Sequence, residues 1–342
     1  MKRTSVPLVL QQTKERKPKP FVNSLNAKEI AVIEKHVRES DLESGKRIHQ
    51  WNGVSSVFYE DTGRMWAHNA TGRKQALQEL YFYRSTSTIG TITCSHKIKI
   101  WDLKRSLLPR ECARLQGFPE NMRLPTTQYN KLFGNAVCVP DAQFALSRIV
   151  SPGEKIRHLD ICSGIGGFSF ALQNLTNSVE TVGFSEIMPA AIKAYQLNFP
   201  DAPNLGDAQT CSEWPIADLV TAGFPCQPFS RSNSKDKRET HTSRNFYRHV
   251  LDIIEKSQAS KVVLENVPTL QATGDGIFET ILQTLRDMNF HVTHTVLNSK
   301  DSGVPQQRRR LYIVASKKPI SLSLERDEKN PLPLSVILEK NS

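Results

Sequence analysis

The stretch HLDICSGIGGFSFAL, residues 158–172, decides the fold. An apolar segment typical of a buried β-strand runs into a glycine-rich turn, and a helix-forming segment follows. The glycines permit a tight turn and let a ligand approach the backbone closely. The spacing is not the dinucleotide-binding fingerprint, because the third glycine directly follows the second. The stretch therefore predicts a strand, a ligand-binding turn and a helix in succession.

The alternation of strand and helix continues toward the C-terminus. Strand-like segments begin near residues 180, 217, 261, 291 and 309, and helical segments follow each of the first three. Repeated strand–helix units predict an α/β domain with a mainly parallel, doubly wound sheet. Ligands of such sheets bind beyond the carboxyl ends of the strands.

Charge is distributed unevenly along the chain. The net charge is +11 over 342 residues, and all of the excess lies in residues 1–150, because acidic and basic residues balance in 151–342. Within the basic part, KERKPKP at 14–20 predicts a flexible arm, and the aromatic, Thr, Ser and Gly residues of about 45–99 predict short strands and turns. Such a region suits a polyanion, although a solvated basic surface would have the same composition.

Several classes of protein are disfavoured by composition. The six cysteines are scattered, and no two have the C-x2–4-C spacing of a structural zinc site, so we predict no metal. No apolar run approaches the roughly 18 residues that a membrane helix needs. The N-terminus shows no apolar signal segment with a cleavage site, so we expect a cytoplasmic protein that meets no membrane.

A single cysteine stands in an unusual setting at the end of the third predicted strand. In GFPCQPFS, residues 223–230, Cys226 lies between two prolines and two phenylalanines. Pro225 fixes its own φ angle and restricts the residue before it. An inert core cysteine needs no such restraint. The setting therefore favours a nucleophile that is held in a fixed position.

Charged residues follow the other predicted strands. Glu265 ends a buried-looking strand, where desolvation would raise its pKa and suit it to donate a proton. Arg308 and Arg310 share one face of the last strand and can together grip carboxylates, phosphates or a base edge. Glu186 and Asp207 end earlier segments, where Glu186 is well placed for ribose hydroxyls. Each of these groups, taken alone, is also compatible with an ordinary exposed charge.

Together these stretches resemble the DNA cytosine-5 methyltransferases. That family carries D-x-F-x-G-x-G-G, G-x-P-C-Q, E-N-V and Q-x-R-x-R motifs, and this chain matches them at 160–167, 223–227, 265–267 and 306–310. Two further family stretches are LLPRECARLQGFP, which we interpret as structural support, and YNKLFGNAVCVP. The chain departs from the family at Cys162, where most members have phenylalanine.

The order of the motifs is unusual for the family. The G-N-A-V segment, which comes last in most members, here precedes the glycine-rich turn, so the chain resembles a circularly permuted member. Domain termini often lie close together, and SPGEK at 151–155 would join them. This predicts a target-recognition region at 1–105 with its basic arm, permuted family motifs at 106–150, the catalytic domain at 151–315, and a tail at 316–342 that returns toward the recognition region.

The resemblance implies an S-adenosylmethionine-dependent enzyme with a Rossmann-like fold. Its implied activity is methyl transfer to C5 of a flipped-out cytosine in double-stranded DNA, in a restriction-modification or related role. Cys226, Glu265, Arg308 and Arg310 would be catalytic. The residues implied to bind the cofactor are Asp160, Cys162, Ser163, Gly164, Gly166, Gly167, Glu186, Asp207, Pro225, Asn135, Ala136 and Val137. The candidates for DNA contact are Gln227, Ser230, Arg231, Arg47, His49, Arg73, Lys74, Arg84 and Thr86.

Three alternatives stay open at this point. An RNA cytosine-5 methyltransferase acting on tRNA would share the motifs, although the C-F-T signature of that branch is absent. A catalytically inactive DNA-binding homologue would share the fold. We expect a monomer, but a second subunit that completes target recognition would also fit the short recognition region.

Overall fold

A computed structural model gives the fold of the chain. It describes strands between residues 47 and 75 at the level of the backbone, and most of residues 82–339 with their side chains. The ranges 1–46, 226–244, 273–275, 321–322 and 340–342 lie outside the described residues, as do short stretches between 52 and 126. No helix in the described part of the chain is long and apolar enough to cross a membrane.

Short strands make up the described part of the N-terminal region. Four of them form an antiparallel sheet in chain order: β1 Arg47–Trp51, β2 Val54–Tyr59, β3 Met65–Asn69 and β4 Lys74–Gln75. Four shorter ones follow: β5 Phe82–Tyr83, β6 Ile89–Gly90, β7 Lys99–Ile100 and β8 Arg105–Ser106. The sequence prediction of short strands and turns from about 45 to 99 agrees with these elements.

Three helices come next: α1 Pro109–Leu115, α2 Tyr129–Asn135 and α3 Val139–Leu146. The first begins with proline at its first position, where the missing N–H costs nothing. Its Glu111 is buried, and the Glu111 carboxylate accepts a hydrogen bond from the Leu108 N–H. The same carboxylate accepts hydrogen bonds from both terminal nitrogens of Arg105, at 2.8 and 2.7 Å. These contacts tie α1 to the preceding strand and agree with a supporting role for LLPRECARLQGFP.

Strands and helices then alternate from residue 156 onward. They are β9 Ile156–Ile161, α4 Gly167–Gln173, β10 Val179–Ser185, α5 Pro189–Asn198, β11 Leu219–Gly223, α6 Phe246–Lys256, β12 Lys261–Asn266, α7 Thr269–Ala272, α8 Ile277–Asp287, β13 His291–Asn298, β14 Gln306–Gln307 and β15 Arg309–Ser316. Helices α6 and α8 bury apolar residues at three- and four-residue spacing, which is why they form against the sheet.

Six of the described strands form the main sheet, in the order β10-β9-β11-β12-β15-β13. Neighbours among the first four pair in parallel, whereas β15 runs antiparallel to both β12 and β13. The predicted α/β fold with a mainly parallel sheet is confirmed. The antiparallel strand has a simple cause: only a short 3-10 turn at Ser299–Ser302 and the two residues of β14 lie between β13 and β15, and parallel neighbours require a long crossover.

The core lies on both faces of this sheet, as doubly wound topology requires. Alternate residues of one strand face opposite layers: Val263 of β12 belongs to the layer that holds α1 to α5, and Val262 belongs to the layer that holds α6 and α8. The same division separates Tyr312 from Ile313 in β15. The carboxyl ends of β9, β10, β11 and β12 therefore meet at one edge of the sheet.

The segment from Tyr83 to Ile100 packs into one of the two layers that cover the main sheet. Tyr83, Ile89, Ile92 and Ile100 are buried in the same hydrophobic cluster as α1 to α5, and β6 pairs in parallel with β14. This hydrophobic segment, which the sequence assigned to the recognition region at 1–105, therefore packs into the main core, and the boundary at 105 stays a prediction.

The tail and the joining segment contact different parts of the fold. Beyond β15, the tail approaches the N-terminal region, where the Ser335 N–H donates to the Ser85 carbonyl at 2.7 Å and Thr88 Oγ1 to the Leu332 carbonyl at 2.5 Å. In the joining segment 151–155, Glu154 forms an ion pair with Lys261 at the start of β12. The joining segment therefore lies at the edge of the sheet away from the strand ends that hold the candidate active site.

A close backbone approach makes Gly134 of α2 hard to replace. A Cβ at this position would lie 2.4 Å from the Thr93 carbonyl carbon and 2.5 Å from the Cys94 nitrogen. Alanine is favoured over glycine in helices by about 1 kcal/mol. A clash with backbone cannot be relieved by a rotamer change, and overpacking costs about 1–3 kcal/mol or more. We expect Gly134→Ala to lower the free energy of unfolding by about 2 kcal/mol net.

Urea unfolding measures this effect, with Gly223→Ala as the matched control. A Cβ at Gly223 would lie 3.7 Å from its nearest neighbour, Glu265 Oε2, which is ordinary contact. Equal stability of the two variants would contradict the packing of α2 against residues 93 and 94.

Candidate active site

The turn after β9 forms one wall of a cavity at the carboxyl edge of the sheet. Cys162 and Gly164 line the cavity, and both have left-handed backbone angles, with φ of 52° and 55°. Nothing lies within 4 Å of where a Gly164 Cβ would be, so the backbone there is open to a ligand. Burial raises the pKa of the Cys162 thiol well above its usual range, so this thiol stays protonated.

The next residues of the motif do not reach the cavity. A Cβ on Gly166 would lie 2.7 Å from Phe199 Cε2, and one on Gly167 would lie 2.5 Å from Val137 Cγ2. These glycines are therefore required by close packing beneath the turn. Ser163 is buried and does not line the cavity. Ser163, Gly166 and Gly167, which were predicted to contact the cofactor, are therefore not among the residues that line the cavity.

Asp160 is also placed differently from the prediction. It is fully buried, where its carboxylate accepts hydrogen bonds from Thr221 Oγ1 at 2.7 Å and Ser169 Oγ at 3.3 Å. His158 Nε2 lies 2.7 Å from the same Thr221 hydroxyl. Burial raises the pKa of Asp160 to about 7 and lowers that of His158 to about 3. Asp160 is therefore buried beneath the turn and is not among the described residues that line the cavity.

Glu186 and Asp207 line the cavity beyond the turn. One Glu186 oxygen accepts the Gly164 N–H at 3.0 Å, and the other accepts the N–H groups of Ile187 and Met188, both at 2.8 Å. A carboxylate has about four acceptor sites, so one remains for a hydroxyl. Ile187 also lines the cavity and is 66% exposed, which offers an apolar surface to a flat ring.

Glu265 lines the same cavity from the end of β12. The register of the sheet pairs it with Gly223 of β11, three residues before Cys226. The next residue, Asn266, donates its side-chain amide to the Phe224 carbonyl at 3.3 Å, which ties the start of the cysteine loop to β12. Pro225 lines the cavity as well. Cys226 itself, with Gln227, Ser230 and Arg231, lies outside the described residues.

The two arginines lie on one side of their strand, as alternation predicts, but they do different things. Arg310 Nε lies 3.0 Å from Glu265 Oε1, an ion pair between two largely buried side chains. Arg308 is 2% exposed and donates to the carbonyl groups of Ile92, Gly134 and Ala136, at 3.3, 3.2 and 2.8 Å. Arg310 therefore contacts Glu265 directly, whereas the described contacts of Arg308 are with backbone carbonyl groups.

Arg308 therefore joins three separate segments at the cavity wall. Its own carbonyl accepts the N–H and the hydroxyl of Ser299, and that hydroxyl also donates to buried Asp141 of α3 at 2.7 Å. Burial, followed by the neighbouring charge of Arg310, lowers the pKa of Arg308 to about 10, so the guanidinium stays charged at neutral pH. The arrangement holds the turn of Asn135, Ala136 and Val137 against the cavity.

We expect Arg308→Met to destabilise the fold. The variant keeps much of the apolar volume but leaves three buried carbonyl groups without donors, each costing about 1–3 kcal/mol. Relief of the buried charge offsets part of this cost, so the expected loss is about 3 kcal/mol of unfolding free energy. Urea unfolding measures it, with Arg309→Met as the control, because Arg309 is exposed. If the two variants were equally stable, the hydrogen bonds from Arg308 to the three carbonyl groups would not stabilise the fold.

The cavity encloses about 410 Å³ and has two chemically distinct ends. One end holds Glu186, Asp207, Ile187 and the turn, and the other holds Glu265 with Arg308 and Arg310. Of the predicted cofactor residues, Asn135, Cys162, Gly164, Glu186, Asp207 and Pro225 line it, whereas Ala136 and Val137 are buried behind it. Ile187, Met188, Gln209 and Phe246 also line it and were missed. The apolar Ile187 directly after the acid was the available sequence signal.

Most of the candidate DNA-contacting residues have side chains that the structure does not describe. Arg47, His49 and Lys74 lie in β1 and β4, whose side chains are not described, and Arg73 and Arg84 lie outside the described residues. Thr86 is exposed in a turn. These assignments stay predictions. Within the part of the chain that the structure describes, no group of acidic, histidine and cysteine residues has the arrangement of a metal site.

Comparison with known proteins decides the family. The C-5 cytosine-specific DNA methylase family matches residues 5–151 and 156–338. The chain belongs to this family. It is 38% identical over 162 residues to the type II methyltransferase M.MspI of Moraxella sp, across 46% of this chain and 38% of that protein. It is 38% identical over 185 residues to M.HpaII of Haemophilus parainfluenzae, across 51% of each.

The matches between this chain and its relatives cover only part of each protein. The chain spans about half or less of the two relatives named above. Among solved structures, that of the Entamoeba histolytica methyltransferase EhMeth has a TM-score of 0.47 and 20% identity, covering 55% of this chain and 61% of that one.

Proposed function

We propose that the protein is a DNA cytosine-5 methyltransferase that uses S-adenosylmethionine. The observation that carries the proposal is that one cavity has two chemically different ends. Its Glu186 end suits a ribose and a flat base, and its Glu265 end suits the edge of a cytosine. The cysteine loop begins between these ends, and family membership favours the same chemistry.

The residues present fit the proposed cofactor. Glu186 has acceptor capacity left for ribose hydroxyls, Ile187 offers an exposed apolar face, and Gly164 leaves open backbone. Asp207 and Pro225 would complete the wall. When bound, S-adenosylmethionine supplies an electrophilic methyl group.

The protein's part of the reaction follows from the chemistry of cytosine, whose C5 is a weak nucleophile. The Cys226 thiolate would add to C6, so that a carbon–sulfur bond forms and the electrons of the C5–C6 double bond become available at C5. Glu265 would hold a proton at N3 and neutralise the charge that this addition places on the ring. Once C5 carries the methyl group, loss of the C5 proton restores the double bond and expels the thiolate. The base must leave the helix stack to enter the cavity.

The motif order supports a circular permutation. The family match divides into 5–151 and 156–338, on either side of the segment SPGEK. Asn135 lines the same cavity as Gly164 although its segment precedes β9 in the chain. We propose that residues 1–82 recognise the target, and that the enzyme marks DNA in a restriction-modification system or a related role, in the cytoplasm with the chromosome.

Transfer of labelled methyl groups from S-adenosylmethionine to duplex DNA tests the function. We expect 5-methylcytosine as the product after hydrolysis of the DNA, and a covalent complex with DNA that contains 5-fluorocytosine. Methylation of tRNA but not of DNA would favour the RNA alternative. DNA binding without transfer or adduct would favour an inactive homologue, and a larger species that forms only with a partner would indicate a second subunit.

A further inference from the structure

A second cavity lies on the other side of the strand that carries the arginine pair. It encloses about 470 Å³ and is lined in part by Gln307 and Arg309, whereas Arg308 and Arg310 face the candidate active site. Val267, just after the Glu265 strand, lines both cavities. The two cavities are therefore neighbours separated by the beginning of β15.

The second cavity has the chemistry of an anion site. No carboxylate is among its described lining residues. Arg309 is exposed and has no salt bridge within the described part of the chain. Thr269 Oγ1 is shielded from solvent and has no hydrogen-bond partner among the described residues, so its hydroxyl is free to donate to an anion. Buried polar groups are normally satisfied, so the state of this hydroxyl is typical of a site that a ligand completes.

The geometry points to a backbone phosphate of the DNA as the ligand. We infer that Arg309 binds a phosphate of the strand that delivers its cytosine to the neighbouring cavity, with the Thr269 hydroxyl as a further donor. A guanidinium matches the geometry of phosphate oxygens and carries its charge at all relevant pH values. The inference rests on the proposed function, because it requires that DNA approach this edge of the sheet.

Salt-dependent DNA binding tests the site. The affinity of a fluorescent duplex is measured over a series of NaCl concentrations for the wild type, Arg309→Gln and Arg309→Lys. Loss of one phosphate contact reduces the slope of log K against log salt by about 0.9. We expect Arg309→Gln to lose that amount of slope and to bind about tenfold more weakly at low salt. The lysine variant should keep the slope.

Two further variants control for charge and for ligand type. Arg286→Gln also removes an exposed charge. Arg286 lies in the last turn of α8, near the start of β13, which pairs with the end of β15 far from Arg309, so this variant should leave the slope unchanged. Asn298→Asp keeps the shape but adds a negative charge, which should weaken DNA binding. Identical slopes for Arg309→Gln and Arg286→Gln would overturn the inference, and so would Asn298→Asp binding the duplex as tightly as the wild type.

Methyl transfer by the wild type to the same duplex separates the two proposals. If the wild type methylates the DNA and Arg309→Gln keeps its slope, the phosphate site fails alone. If the wild type neither binds nor methylates DNA, the proposed function fails first.

Discussion

Replacing Cys226 with alanine is expected to abolish methyl transfer while leaving S-adenosylmethionine binding intact. The thiolate is the group that makes C5 of cytosine reactive, and neither water nor a neighbouring side chain can replace its addition to C6. Removal of a covalent nucleophile lowers rates by about 10⁴-fold or more. Most of the predicted cofactor contacts that line the cavity directly follow β9 or β10 or end α2, and none of them uses this thiol.

Single-turnover transfer of a labelled methyl group measures the effect, and calorimetric titration measures cofactor affinity. Cys211→Ala is the matched control, because Cys211 is a partly exposed free cysteine that does not line the cavity. The variant at 226 should also form no covalent complex with 5-fluorocytosine DNA. Transfer that persists at a tenth of the wild-type rate would exclude Cys226 as the nucleophile.

Replacing Glu265 with glutamine is expected to lower the rate of methyl transfer by about 10³-fold, within the range that general acid catalysis contributes. The side chain is 8% exposed, lies at the cavity wall and pairs with Arg310. Glutamine keeps the shape but cannot exchange a proton with N3. It also leaves the buried Arg310 without a carboxylate, so DNA with a flipped base should bind more weakly.

The pH dependence separates a catalytic from a structural role for Glu265. Burial raises the pKa of this carboxyl, and the charges of Arg310 and Arg308 oppose the rise only in part. The acid form therefore persists toward neutral pH, and a rate that needs it falls as the pH rises through the raised pKa. Wild-type kcat should show this falling limb, whereas the glutamine variant should lack it. Glu279→Gln, an exposed change on α8, should behave as the wild type. An unchanged pH profile in Glu265→Gln would contradict the assignment.

Much of the fold follows from local sequence pattern. The alternation of short apolar segments with amphipathic ones places β9 to β13 and the helices between them within a few residues of their bounds. Periodicity works here because the central strands β9, β11 and β12 are buried on both faces and helices α6 and α8 are buried on one face. The direction of β15 could not be read in the same way, because strand direction depends on the connection before it.

The candidate site shows a similar division. Motifs identify Glu186 and Glu265, since Glu186 directly follows β10 and Glu265 lies at the end of β12. They do not reveal that Arg308 binds carbonyl groups 172 to 216 residues away in the chain, which only tertiary packing brings together. They also suggested that Asp160 touches a ligand, whereas its side chain points into the sheet toward Thr221. A residue beside a binding turn is as readily a support as a contact.

The position of β15 has a consequence for synthesis of the protein on the ribosome. This strand lies between β12 and β13 but follows both in the chain, so β12 keeps an unpaired edge until residues 309–316 have emerged. Arg310, the partner of Glu265, arrives with them. A nascent chain that stops after β13 therefore has an exposed edge prone to association and a carboxylate without its cation. The main sheet is therefore complete only after residue 316 has emerged from the ribosome.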